Sequence, residues 1–384
     1  MGARRRALVV LAIFAVASVT TSLILIRTAD RVAADSGAIE VASAQATQLR
    51  MFRGELLVWA AGGFSGDEID QVMASDRVAQ VAAVRGGLLG VRGAGATYHV
   101  IPVEAMAVDP VAYASAAGRA GDVLRQALPH GVVLSQTGAR LRHLGVGGRL
   151  QLTGGVVLTV SAVVDDQLLA GYEAAVDRAL ARRLGLTRAT YLLLRPRGGV
   201  AELEAAVRAL LHRRALRFLL PGQRGWFRAG DTLPLAQIKA RFGEWAVRSL
   251  DDPSPSPAWL ARNVVARTVP VLGQVHCHRA IIADLAAAMA ELQRLHLEHL
   301  VDLAAVGEHG GCMDPRHPAS AAGAAGSGKA VILSHAEWGI DVELGTTAKV
   351  DQRLVQVMAR HGFTWGGRWL PPAPDRFEWV GTGA

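Results

Sequence analysis

Most of the histidines and both cysteines lie in the last third of the chain, together with Ser334, Arg316 and Arg376, residue types that a metal site, a nucleophile or an anion site would need. His276, Cys277 and His278 stand together, with His296 and His299 further along on a predicted helix. Imidazole and thiolate are zinc ligands, yet this spacing does not by itself bring the two groups round one ion. Cys277 and Cys312 are the only cysteines. In an oxidising compartment they could form a disulfide, which would remove the thiolate; two separate buried thiols are the alternative. Ser334 has no histidine and acid placed beside it by any motif, so it reads as a structural or binding hydroxyl rather than a nucleophile. Gly323 to Lys329 has the spacing of a phosphate-binding loop, but Ala330 stands where a Ser or Thr would contact magnesium, and no strand precedes it. Residues 318–329 read as a surface loop of Ala, Gly and Ser. His99, His130, His143 and His212 are scattered and assemble no catalytic set.

The elements that must position these groups lie in a 384-residue chain that is 51% hydrophobic and 19% charged. That composition excludes a disordered protein and allows two or three domains. Lys and Arg outnumber Asp and Glu by 41 to 33. They are spread along the chain without interleaved aromatics, so no nucleic acid is expected as a partner. Arg4, Arg5 and Arg6 precede an uncharged apolar run from Ala7 to Ile26. The run is long enough to span a bilayer, with the basic flank cytoplasmic and the remainder exported. A cleaved signal peptide is the alternative, with small residues at Ala42 to Ala46 as the cutting site. Arg149 to Val164 alternates apolar and polar residues on both sides of Gly154-Gly155 and predicts a β-hairpin. Apolar residues at helical spacing predict helices over Pro110–Leu128, Gly171–Leu184, Val200–Arg214 and Ile281–Leu295.

Two resemblances follow from quoted motifs. Leu134-Ser-Gln-Thr-Gly-Ala-Arg-Leu141, the Gly145-Val-Gly-Gly-Arg149 turn and the hairpin ending Val163-Val-Asp-Asp166 resemble the extracytoplasmic domains of MacB-like permeases. In the last third, several motifs in order resemble the VanY-like D-alanyl-D-alanine carboxypeptidases. They are Pro257-Ala-Trp-Leu260, Val269 to Arg279, Gly310-Gly-Cys-Met-Asp-Pro-Arg316, Leu333 to Glu343, His361 to Leu370 and Arg376-Phe-Glu-Trp379. The expected fold is α+β: a transmembrane anchor within residues 1–34, a mixed α/β extracytoplasmic module over 35–230, and a VanY-like α+β domain over 231–384. The second resemblance implies a zinc held by two histidines and an aspartate, and an arginine at the substrate site, here Arg316.

The chemistry departs from that pattern. With Trp338-Gly-Ile340 and Phe377-Glu-Trp379 as anchors, the ligand positions fall on Ala336, Glu343 and Arg376, and the acidic general base falls on Ala373. Methyl and guanidinium groups do not bind zinc, and a guanidinium is always charged. His335 and Asp341 stand beside the vacant positions as substitutes, but on a strand a shift of one residue turns His335 to the other face. No cofactor is therefore expected, zinc only if the enzyme is active after all, and Glu343 is expected to pair with Arg376. Arg316, Ser334, Trp338, Glu343 and Arg376 form the expected binding set. The two arginines would grip a peptide carboxylate, and Trp338, Trp365 and Trp369 would wall the cleft or pack as core. Three readings remain: an inactive, membrane-anchored module binding the peptidoglycan stem peptide or a membrane protein partner; an active zinc carboxypeptidase; and a structural partner of a membrane complex in which the middle region carries the function.

Overall fold

Runs of β-branched and small apolar residues build a nine-stranded sheet in the first half of the chain. Its strands are β1 (Leu56–Phe64), β2 (Val78–Arg92), β3 (Val100–Val108), β4 (Val132–Ser135), β5 (Arg149–Gln151), β6 (Val157–Val164), β7 (Ala174–Asp177), β8 (Ala189–Pro196) and β9 (Leu216–Leu219). They lie in the order β5-β6-β4-β7-β3-β2-β8-β1-β9. The computed structural model describes residues 54–220, 232–251, 255–302, 312, 340–344, 350–370 and 372–381, all within one compact unit, residues 52–384. β3 runs parallel to β7, and β4 parallel to β6, whereas β2 pairs antiparallel with both β3 and β8. The hairpin over 149–164 forms, with Arg149 opposite Thr159.

Helices cover the sheet. α1 (Gly66–Met73) begins with a capping box in which the Ser65 hydroxyl accepts from the Glu68 amide and the Glu68 carboxylate accepts from the Ser65 amide. The expected helix over 110–128 is two, α2 (Pro110–Ala117) and α3 (Arg119–Ala127), broken at Gly118, whose φ of 59° a helix cannot continue through. α4 (Gln136–Leu141) follows β4, and α5 (Arg178–Arg183) follows β7. The expected helix over 171–184 is therefore corrected: only its second half is helical. Ala174, Ala175 and Val176 are fully buried between β3 and β4, and a strand buried on both faces carries no alternation to distinguish it from a helix. α6 (Val200–Leu210) packs on the far end of the sheet, its Leu203 and Val207 in a core with Leu56, Val58 and Leu194.

The C-terminal part contains α7 (Leu235–Phe242), α8 (Pro257–Asn263), a ribbon of β10 (Val264–Val269) and β11 (Gly273–His278), and α9 (Ile282–Arg294). Beyond these lie β12 (Asp341–Glu343), α10 (Gln352–Arg360), β13 (Phe363–Trp365) and β14 (Arg376–Trp379). β14 is central in a three-stranded antiparallel sheet, between β12 and β13. Leu285, Ala288, Met289 and Leu292 form the buried stripe of α9 at helical spacing. They share one core with Phe242, Trp259, Met358 and Phe377, and with Val100 of the large sheet. Val100 and Val247 exchange two backbone hydrogen bonds, of 3.1 and 2.7 Å. Among the described residues, no helix is long and apolar enough to cross a membrane. The apolar run Ala7–Ile26 lies outside them.

Candidate functional site

The C-terminal sheet brings together the charged residues that the sequence singled out there. Antiparallel pairing sets Asp341 opposite Glu378 and Glu343 opposite Arg376. Asp341 and Glu343 are two residues apart on β12 and so share a face. Diagonal neighbours across such a pair lie within reach of a long side chain, and the Arg376 guanidinium takes the diagonal: its Nη1 donates to Asp341 Oδ2 at 3.1 Å. The expected Glu343–Arg376 ion pair is thus corrected. Among the described residues, the carboxylate that Arg376 pairs with is Asp341, because Asp341 is the buried one.

Asp341 Oδ1 is buried with no hydrogen-bond partner among the described residues. Burial pushes the Asp341 carboxyl up to about 7; Arg376 pulls it down, and the neighbouring carboxylates of Glu378 and Glu343 push it up again. Glu378 is buried too, and its Oε1 accepts from the Leu233 amide at 3.2 Å. Next on the strand, the Trp379 indole donates to Asp284 of α9 at 2.9 Å, and the Arg241 guanidinium lies 4.4 Å from its ring centroid. Trp365 is half-buried, with its indole N–H donating to Pro374 O at 2.8 Å. A Cβ on Gly367 would lie 2.2 Å from this indole, so glycine is needed there for close approach.

The zinc that the carboxypeptidase resemblance implies does not fit these residues. Arg376 carries a fixed positive charge and already holds the buried carboxylate of Asp341. Ala336, Arg316, Ser334 and Trp338 lie outside the described residues. Cys277 and Cys312 are joined by a disulfide. The imidazole of His278 is fixed on both nitrogens: Nδ1 accepts from the Ala280 amide, so Nε2 donates to Phe242 O, each at 3.1 Å. Burial holds its pKa below the usual value, which keeps it neutral. No group of three His, Cys, Asp or Glu among the described residues could hold a metal ion.

A second charged constellation has no local motif. Arg142 after α4, Glu173 before β7, and Lys239 and Glu244 at the end of α7 meet in the interior. Arg142 Nη2 lies 2.6 Å from Glu173 and 3.0 Å from Glu244, and Lys239 Nζ lies 2.7 Å from Glu173 and 3.5 Å from Glu244. Glu173 also accepts from the Glu104 amide, and Lys239 donates to Pro102 O. Burial raises the Glu173 carboxyl, but Arg142 and Lys239 together outweigh it and hold the group below the usual carboxylate range. Each charge has an opposite partner, as a buried cluster requires. These four residues span 102 positions of the chain, so only the Asp, Glu, Lys and Arg content of the segments was readable in advance.

No family model matches the sequence, and no curated protein does. Among solved structures, the chain is similar to the periplasmic region of MacB from Actinobacillus actinomycetemcomitans, at 11% identity and a TM-score of 0.33, over 45% of this chain and 92% of that one. It is also similar to the extracellular domain of the noncanonic ABC-type transporter YknZ from Gram-positive bacteria, at 12% identity and a TM-score of 0.30, over 43% of this chain and 98% of that one. The carboxypeptidase resemblance of the last third rests on its sequence motifs alone, and what the comparisons add is a weak structural likeness, over about half of the chain, to MacB-like extracytoplasmic domains.

Proposed function

We propose that this chain is a membrane-anchored, extracytoplasmic binding module whose carboxypeptidase-like C-terminal region recognises a peptide or a partner protein without metal chemistry. The observation that carries the reading is the ion pair between Arg376 and buried Asp341, 3.1 Å apart. It puts a guanidinium where the resemblance would require an imidazole, and a permanent cation beside a would-be zinc raises the energy of any divalent ion there. The basic flank and apolar run of residues 4–26 support the anchor. The Cys277–Cys312 disulfide supports an oxidising compartment. A peptidoglycan stem peptide is the ligand that the resemblance suggests, with Arg316 gripping its terminal carboxylate.

The test is the zinc content of the full chain purified in detergent, together with D-alanine release from a pentapeptide stem. The expected result is substoichiometric zinc and no release, with retained binding of the stem peptide or of a membrane protein. Stoichiometric zinc with release overturns the reading and makes the chain a peptidase.

A further inference from the structure

β3 and β7 are parallel neighbours, with Ala105 beside Ala174 and Val108 beside Asp177. The helices that follow them leave to opposite faces of the sheet. Ala181 of α5 packs with Ala105, Ala107, Ala174 and Val176. Tyr113 of α2 donates to Leu168 O at 3.3 Å and lies beside Tyr191, whose hydroxyl donates to Met106 Sδ on the other face. Such a divergence at the carboxyl ends of parallel strands opens a crevice, and crevices of this kind are where open α/β sheets bind ligands. Here the crevice is a cavity of about 540 Å³, lined by Asp109, Pro110, Pro129, Asp177, Arg178 and Arg182 among others.

One oxygen of each of its two carboxylates caps a helix. Asp109 accepts from the Val111 and Ala112 amides, both at 3.0 Å, and Asp177 accepts from the Leu180 amide at 2.6 Å. The two arginines of the lining have no carboxylate partner among the described residues. Arg178 and Arg182 are one turn apart on α5 and exposed, and Arg85, which shares a face with Ala107, feels both of their charges. Among the described residues none of the three forms an ion pair. Arg178 and Arg182, exposed in the cavity lining and in no ion pair, present planar donors to solvent there, the geometry that binds phosphate oxygens, with half-buried Arg85 on the neighbouring strand adding positive charge behind them. We infer that this crevice is a binding site for a phosphate-bearing ligand, either a free phosphate or the headgroup of an anionic lipid, held by Arg178 and Arg182 with Arg85 behind them.

The test is calorimetric titration of the full chain in detergent with inorganic phosphate and, separately, with dihexanoyl phosphatidylglycerol below its micelle concentration, each at matched ionic strength. Saturable binding is expected, at least tenfold weaker in Arg178→Ala/Arg182→Ala. Both residues are exposed, so an unchanged Tm of the unliganded variant would show that its fold is intact. Tighter binding of the lipid identifies a headgroup as the source, and tighter binding of phosphate identifies the free anion. No saturable binding of either probe, or equal binding by a folded variant, overturns the proposal.

Discussion

The buried cluster around Glu173 and the buried pair of Asp341 with Arg376 place the same kinds of group in low dielectric with opposite results. Glu173 has two cations and a backbone amide, and its carboxyl is held below the usual range despite burial. Asp341 has one guanidinium and two carboxylate neighbours, and burial with that repulsion lifts it to about 7. Burial alone therefore does not set a carboxyl's state; the balance of cations and anions at hydrogen-bond distance does. The first cluster gives every charge an opposite partner and joins the large sheet to α7, leaving only Arg142 Nε buried without a hydrogen-bond partner among the described residues. The second leaves a carboxylate oxygen, Asp341 Oδ1, without one among the described residues, and its carboxyl faces more negative than positive charge.

Removing one cation from the Glu173 cluster breaks this contrast most directly. Lys239→Met should cost on the order of 3–5 kcal/mol, because Glu173 stays buried with half of its compensation gone, and urea unfolding of the full chain measures it. A loss below about 1 kcal/mol would mean that the cluster is not what ties α7 to the sheet. The disulfide supports the other region: Cys277→Ser/Cys312→Ser should lower stability by roughly 2–4 kcal/mol in the same assay, since the bridge closes a long loop in the unfolded chain.

The two carboxyls also predict pH limbs of opposite sign. The folded pKa of Asp341, about 7, lies above its ordinary 3.8, so folding takes up a proton between those values. The stability due to Asp341 should fall by up to about 1.4 kcal/mol per pH unit as pH rises from about 4 to 7, and level off above. Glu173 is depressed, so its contribution is present above the ordinary carboxylate range and is lost as pH falls through its folded value. Urea midpoints from pH 4.5 to 8 should therefore show a decline that Asp341→Asn flattens and Lys239→Met does not. The smallest effect belongs to an exposed, local interaction: Ser65→Ala removes one half of the capping box of α1 and should cost about 1 kcal/mol by thermal melting. A larger loss would show that surface capping matters in the large sheet as much as buried charge does.

Features set by neighbouring residues were legible in the sequence. The 149–164 hairpin announces itself through alternation around Gly-Gly, and α9 through the apolar stripe from Leu285 to Leu292. The 110–128 segment reads as helical, while the break at Gly118 depends on one backbone angle that spacing does not encode. Residues 174–177 mislead because a short strand buried on both faces looks like any other apolar run. Of the expected binding set, Glu343 and Arg376, expected to form an ion pair, stand opposite each other on β12 and β14 without forming it. The choice of Asp341 as ion partner follows from diagonal reach and burial, which exist only once register is set.

Composition and motif order thus determined by themselves that the chain carries a basic stretch followed by an apolar run, mixed α and β elements, and C-terminal motifs that lack histidines at the positions the resemblance assigns to zinc. Tertiary structure alone decided which charges meet. Arg142, Glu173, Lys239 and Glu244 come from three segments, and Arg85, Arg178 and Arg182 from two. Helix and strand periodicities act over a few residues, whereas an ion pair or a crevice is made by elements brought together from far apart in the chain, and that pairing is fixed by packing and register.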